Sequence, residues 1–248
     1  MANRTDPRFT VRQQGVGGTA VPRAGERFDA GLRKYMLSVY NYMASGVLLT
    51  GVVALLFSQT ELARQLLMGP GLMKWVIMLA PLGFVFALSF GINKMSETAV
   101  KGTFWAFATV MGLSLASIFW VYTGSSIAQV FFATAAAFAG LSLYGYTTKK
   151  DLSGLGTFLI MGVIGIIVAM LLNAFFFQSG VLQTVISIIG VLIFAGLTAY
   201  DTQKIKNMYF QVGQTDFRGK AIVMGALTLY LDFINMFMFL LQLFGSRE

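Results

Sequence analysis

The sequence predicts an all-α integral membrane protein with seven transmembrane helices. Three observations lead to this fold class. Only 11% of the 248 residues are charged and 56% are hydrophobic, long stretches carry no charge, and basic residues collect in alternate gaps between those stretches. A soluble domain has about 25% charged residues, so this composition excludes an ordinary soluble enzyme. The chain also lacks Cys and His, which removes disulfides, the usual zinc sites and His-based catalytic triads.

The first 34 residues form a polar segment that holds seven Lys and Arg side chains. This segment is too polar for the apolar core of a secretory signal peptide. It also contains Asp6, Glu26 and Asp29, whereas a mitochondrial presequence is poor in acids. We therefore interpret residues 1–34 as a mobile basic cytosolic arm and residues 35–248 as the transmembrane domain.

Stretches with few or no charges define the spans in chain order. They are residues 35–60, 75–93, 102–148, 152–200 and, apart from Asp232, 221–244. A helix needs about 20 apolar residues to cross the hydrocarbon core, which is about 30 Å thick. The first, second and last stretches each fit one span. The third and fourth are long enough for two spans each, with turns near residues 122–126 and 173–180, which brings the total to seven.

The basic residues fix the orientation of these spans. If the N-terminus lies in the cytosol, the arm and the cytosolic loops together hold 15 Lys and Arg side chains, and the other side holds three. Cytoplasmic loops of membrane proteins carry such an excess. The sequence therefore predicts a cytoplasmic N-terminus and an external C-terminus. The net charge of +8 is explained by topology, so no nucleic-acid partner is expected.

Eight of the ten acidic residues lie in the arm, the loops or the C-terminal tail, whereas Asp201 ends the sixth apolar run and Asp232 lies well inside the seventh. A charged side chain at the centre of a spanning helix costs at least about 2.5 to 3.5 kcal/mol, so an acid there indicates a functional site. The midpoint between positions 201 and 232 falls inside the polar stretch at residues 211–219, so if the sixth helix continues past Asp201 to Phe210 the two acids lie at similar distances from one turn. We therefore expect the two carboxyl groups to lie at similar depth and to face each other.

Two adjacent carboxylates in a medium of low dielectric cannot both ionise cheaply, so they share a proton or bind a cation. Carboxylate oxygens suit calcium, which takes six to eight oxygen ligands. Thr198 and Asn235, each three residues from one acid, are candidate supporting ligands, or they make ordinary hydrogen bonds between helices. Lys204 and Lys94 are candidate latch partners for a carboxylate. The alternatives are a boundary ion pair for Lys204 and a membrane anchor for Lys94.

Two segments carry a resemblance to a known family: GLTAYDTQKIK at residues 196–206 and ALTLYLDFINMFMFLLQLF at residues 226–244. They resemble the two end motifs of the Bax inhibitor-1 family, and the loop TTKKDL at residues 147–152 agrees with it. The resemblance covers roughly residues 30–245. It implies seven helices with the C-terminal helix central and wrapped by the other six, and a pH-sensitive calcium leak at Asp201 and Asp232. Chain length and the basic arm resemble the bacterial branch, which implies a bacterial inner membrane.

Two functions therefore compete. The first is a calcium or other cation leak that the paired aspartates gate as a pH sensor. The alternative is a non-transporting regulatory protein that binds another membrane protein, such as a membrane protease, through the basic arm. An enzyme is not expected, because no nucleophile and base pair is visible. Neither is a cofactor, apart from calcium as a transported or bound ion. The expected partners are the lipid bilayer, calcium and another membrane protein.

Overall fold

The computed structural model describes residues 24–213 and 215–247, and within them the protein is helical with no β-strand. Eight α-helices follow one another along this part of the chain. They are α1 (Ala24–Ser58), α2 (Glu61–Met68), α3 (Met73–Gly91), α4 (Glu97–Leu115), α5 (Gly124–Thr147), α6 (Ser153–Leu172), α7 (Gly180–Val212) and α8 (Arg218–Phe244).

Seven of these helices, all except α2, are long and apolar enough to cross a membrane, which confirms the predicted number of spans. The two long charge-free stretches break where the sequence predicts. After α4 the chain makes a 3-10 turn at Ala116–Trp120 before α5 begins. After α6 it makes a π-helical turn at Asn173–Phe177, and Gln178 then adopts a left-handed conformation with φ of 46°.

Hydroxyl side chains fix the first residues of four helices. Thr60, Ser96, Thr123 and Ser179 precede α2, α4, α5 and α7, and each accepts a hydrogen bond from the backbone N–H three residues on. Such caps satisfy one of the N–H groups that have no partner within the helix. Polar turn residues between apolar runs therefore set the boundaries of the spans.

The first helix begins before the predicted boundary of the membrane domain. α1 starts at Ala24, so residues 24–34 of the predicted arm are helical and continue directly into the first span. Residues 1–23, which make up the rest of that arm, lie outside the described residues. α2 follows α1 as a short helix in a predicted loop and packs against α3.

The last helix lies at the centre of the bundle. In the most apolar window of α8, 67% of residues are buried, whereas no other span exceeds 33%. α8 packs against α7, α1, α5 and α4. Its side chains Leu229, Tyr230, Met236 and Leu241 are among the largest that are fully buried. The predicted central position of the C-terminal helix is therefore confirmed.

The bundle has two distinct ends. We call the end with the α3–α4, α5–α6 and α7–α8 connections the basic end and the other the distal end. At the basic end, Lys220 Nζ donates to the carbonyl oxygen of Ile92 across 3.2 Å. At the distal end, the indole N–H of Trp120 donates to the carbonyl oxygen of Ser58 across 3.0 Å. At both ends of the bundle, hydrogen bonds therefore link segments that are far apart in the sequence.

Candidate functional site

The candidate site lies between α7 and α8, which run antiparallel on either side of the connection at residues 213–217. α7 continues without interruption past Asp201 to Val212, which allows Asp201 and Asp232 to lie at similar depth. The two helices stay in register along their length. The rings of Phe194 and Phe239 lie 6.0 Å apart between centroids, and the Ser187 hydroxyl donates to Gln242 Oε1 across 2.8 Å. In each of these pairs, as for the two aspartates, the residue in α7 and the residue in α8 are almost the same number of residues away from the connection.

Asp201 and Asp232 meet across this helix pair. Their exposed fractions are 7% and 4%, and their carboxyl groups lie within hydrogen-bond reach of each other. Asp232 Oδ2 is buried with no hydrogen-bond donor among the described residues. A hydrogen bond between two carboxyl groups requires a proton on one of them. Two carboxyl groups at this distance can therefore hydrogen-bond to each other only when one of them is protonated.

The two predicted basic partners occupy different places. Lys204 is exposed on α7, one turn beyond Asp201, and acts electrostatically on that carboxyl group. Its Nζ also lies 5.8 Å from the centroid of the Tyr200 ring. Lys94 is exposed in the turn between α3 and α4, and it is not among the charges that act on either aspartate. Of the two, only Lys204 is placed to influence the carboxyl pair.

The predicted supporting residues make hydrogen bonds within their own helices. The buried Thr198 hydroxyl donates to the carbonyl oxygen of Phe194 across 2.8 Å. The half-buried Asn235 amide donates to the carbonyl oxygen of Leu231 across 2.8 Å. In the described part of the chain, no group of three or more acidic side chains could hold a metal ion. The structure therefore offers a cation two carboxylates and no further acidic ligand.

Three polar residues that follow Asp201 hold α7 in place, and neither charge nor hydropathy indicates this role. Gln203 Oε1 accepts from the backbone N–H of Leu152 across 2.9 Å, and its amide donates to the carbonyl oxygen of Lys150 across 2.8 Å. One buried amide thereby clamps the α5–α6 loop onto α7. This contact joins the loop at residues 147–152 to the segment of α7 that follows Asp201.

The other two residues fasten α7 to α5. The hydroxyl groups of Thr202 and Ser142 lie 3.2 Å apart, and Lys206 Nζ donates to the carbonyl oxygen of Tyr146 across 2.7 Å. Thr202 and Lys206 are four residues apart, so they share one face of α7. That spacing is the sequence signal that could have identified the α5-facing side of the helix.

Close backbone contact reinforces this attachment at Gly145. A Cβ atom at this position would overlap the carbonyl oxygen of Ala199 in α7. Small residues allow helices in lipid to approach closely, as they do here. The segment of α7 that carries Asp201 is therefore held by packing as well as by hydrogen bonds.

Tyr230 anchors α8 to α1. Its ring is fully buried, and its hydroxyl lies 2.6 Å from that of Thr50 in α1. Thr50 also donates to the carbonyl oxygen of Ala108 in α4 across 2.8 Å. Tyr230 and Asp232 thus have separate partners: the tyrosine joins α8 to α1 and α4, and the aspartate joins it to α7.

Comparison with known proteins agrees with this architecture. The family described as inhibitor of apoptosis-promoting Bax1 matches residues 32–248. The chain is 46% identical over 221 residues to the inner membrane protein YbhL of Escherichia coli, covering 88% of this chain and 94% of YbhL. It is 44% identical to an uncharacterized protein of Rickettsia prowazekii, covering 89% of this chain and 93% of the relative. The chain therefore belongs to the Bax inhibitor-1 family of multi-pass membrane proteins.

Proposed function

We propose that this protein supports a slow, pH-dependent leak of calcium or another cation across the membrane, with Asp201 and Asp232 as the pH sensor. The observation that carries the proposal is the meeting of two buried carboxyl groups between α7 and α8. Intramembrane acids are costly, and they mark ion or proton pathways when they face the interior of a bundle. Family membership is compatible with this function but does not specify it.

The carboxyl pair has two states of different charge. With one shared proton, a hydrogen bond joins α7 to α8 and the site holds a single negative charge. When that proton leaves, two like charges face each other in a medium of low dielectric. The second state is relieved by separation of the helices or by entry of a cation. Loss of a proton is thereby coupled to opening or to ion binding.

Calcium fits this site as a passing ion. Calcium requires six to eight oxygen ligands, and two carboxylates supply at most four. Thr198 Oγ1 and Asn235 Oδ1 keep lone pairs for an ion, although the hydroxyl and the amide N–H donate within their own helices. Even with both oxygens, water would have to complete the coordination. A site completed by water binds weakly, as a leak requires.

The orientation that we propose places the basic end in the cytoplasm of a bacterial cell. The excess of Lys and Arg in the segments at that end supports this orientation. We also propose that the protein is not an enzyme, because its sequence offers no Cys or His to act as nucleophile or base.

The test is calcium flux into liposomes that contain the purified protein, measured from about pH 5 to about pH 8, a range into which burial and a neighbouring charge can move the titration of a carboxyl group. The variants are Asp201→Asn and Asp232→Asn, and the matched control is Asp216→Asn, an exposed aspartate in the α7–α8 connection. An amide donates a hydrogen bond at every pH, so each site variant should lose the pH dependence of the parent. The control should keep it.

Two outcomes would contradict the proposal. Flux with the same pH dependence in both site variants would remove the carboxyl pair as the sensor. Absence of flux at every pH would favour the alternative of a regulatory protein that binds another membrane protein. Deletion of residues 1–23 would then be tested for loss of that interaction.

A further inference from the structure

A groove between α1 and α5 opens on the side of the bundle near the basic end. Its volume is about 530 Å³, within the range of about 300 to 1,000 Å³ typical of small-molecule pockets. Arg33 and Tyr146 line one end, and Ala44 and Phe138 lie deeper. Neither Asp201 nor Asp232 lines the groove.

The depth of the groove matches one leaflet of a bilayer. On α1 it extends from Arg33 to Ala44. At 1.5 Å per residue, this distance is about 16 Å. Half of a hydrocarbon core about 30 Å thick is about 15 Å. The groove therefore has the length of the acyl region of a lipid in the leaflet at the basic end.

Positive charge lies at the mouth of the groove. Arg33 lines the groove, and its side chain is exposed. Lys206 reaches the same end from α7, because its Nζ donates to the carbonyl oxygen of Tyr146 and lies 5.1 Å from the centroid of the Tyr146 ring. Basic pockets between spanning helices bind anionic lipid head groups. An ammonium has three donors, so Lys206 keeps donors for an anion.

The interior of the groove suits a hydrocarbon chain. Apart from Arg33, its polar lining consists of the hydroxyl groups of Tyr40, Ser142 and Tyr146. The hydroxyls of Tyr40 and Ser142 bond with each other or with Thr202, so they need no partner inside the groove. Met36, Phe138 and Ala139 provide apolar wall. An elongated apolar slot with cations at its interfacial mouth is complementary to an anionic amphiphile.

We propose that this groove binds one anionic phospholipid, with its phosphate at Arg33 and Lys206 and an acyl chain along the α1–α5 wall. The site includes neither aspartate, and the proposal does not depend on the cation leak. Two copies of the same surface would lack this charge complementarity, because each copy presents positive charge at the mouth.

The test is native mass spectrometry of the delipidated, full-length protein in detergent, titrated with phosphatidylglycerol or with phosphatidylcholine. Arg33→Gln should weaken retention of the first phosphatidylglycerol by roughly fivefold, the contribution of one basic side chain near a membrane surface. It should change retention of phosphatidylcholine much less. Lys34→Gln is the matched control, since it removes the neighbouring exposed charge, which does not line the groove.

A second pair of variants tests the apolar part of the groove. Ala139→Phe places a ring in the groove and should reduce phosphatidylglycerol retention, whereas Ala137→Phe, on an exposed part of α5 outside it, should not. The proposal is overturned if Arg33→Gln and Lys34→Gln weaken binding equally, or if Ala139→Phe leaves binding unchanged. Dissociation of a dimer by Ala139→Phe, with lipid binding intact, would assign the groove to a second copy and also overturn it.

Discussion

Replacement of Gln203 by alanine should release the α5–α6 loop from α7. The parent side chain is 8% exposed and makes two hydrogen bonds, of 2.9 and 2.8 Å, with backbone groups of that loop. Each such bond contributes about 0.5 to 1.5 kcal/mol net, so the variant should lose about 1 to 3 kcal/mol of local stability. Because about 1.4 kcal/mol changes an equilibrium tenfold, local opening should become about 5 to 150 times more frequent.

Hydrogen exchange detects this opening directly at the backbone N–H of Leu152, the group that Gln203 binds. The experiment compares deuterium uptake in a peptide that covers the α5–α6 loop, in the parent and in Gln203→Ala. Gln211→Ala is the matched control, because Gln211 is exposed near the end of the same helix. Equal uptake in the parent and Gln203→Ala would refute the reasoning that this amide holds the loop.

Three further predictions concern stability and pH. Gly145→Ala should lower the thermal unfolding midpoint in detergent, because overpacking costs about 1 to 3 kcal/mol, whereas Gly140→Ala, which has open space, should not lower it. Tyr230→Phe should lower the free energy of unfolding by about 0.5 to 1.5 kcal/mol through loss of one buried hydrogen bond, and an unchanged value would refute that role. Hydrogen bonds from Ser153 hold the pKa of Asp151 below its usual value. The stability that these hydrogen bonds add to the folded protein is therefore present above the usual aspartate pKa of about 4 and is lost as the pH falls through the lowered pKa of Asp151. In an NMR titration, Ser153→Ala should raise the pKa of Asp151.

The spans could be predicted from the sequence because lipid imposes a strong condition on each helix. A charge-free stretch long enough to cross the core must be helical, since backbone groups in lipid have no water to bind. The same condition says little outside the core. The start of α1 at Ala24 and the helix α2 at Glu61–Met68 both lie in charged segments. Water can bind the backbone groups there in a helix or in a loop, so hydropathy does not predict which one forms.

The site was predictable only in part, for a similar reason. The free-energy cost of placing an acid in lipid identifies Asp201 and Asp232 as candidate site residues. The number of residues between them indicates that they lie at similar depth. Which polar group meets which partner depends on the rotation of each helix about its axis. Charge and hydropathy do not fix that rotation. The sequence therefore allows Lys94 as a partner for the carboxyl pair, whereas in the structure Lys94 lies exposed in a turn. For the same reason, charge and hydropathy do not indicate the contacts of Gln203.

The contacts around Asp201 indicate why its neighbours are polar as well. When both carboxyl groups are charged, they repel each other. For such a pair to sense pH, the fold must either resist this repulsion or let the two helices move apart in a defined way. Thr202, Gln203 and Lys206 fasten α7 to α5 and to the α5–α6 loop, while Tyr230 fastens α8 to α1. The hydrogen bonds of the two helices that carry the acids thus go to different neighbours, although both helices also pack against α5. If the pair senses pH as proposed, weakening either set of hydrogen bonds should alter the response to pH without removing either carboxyl group.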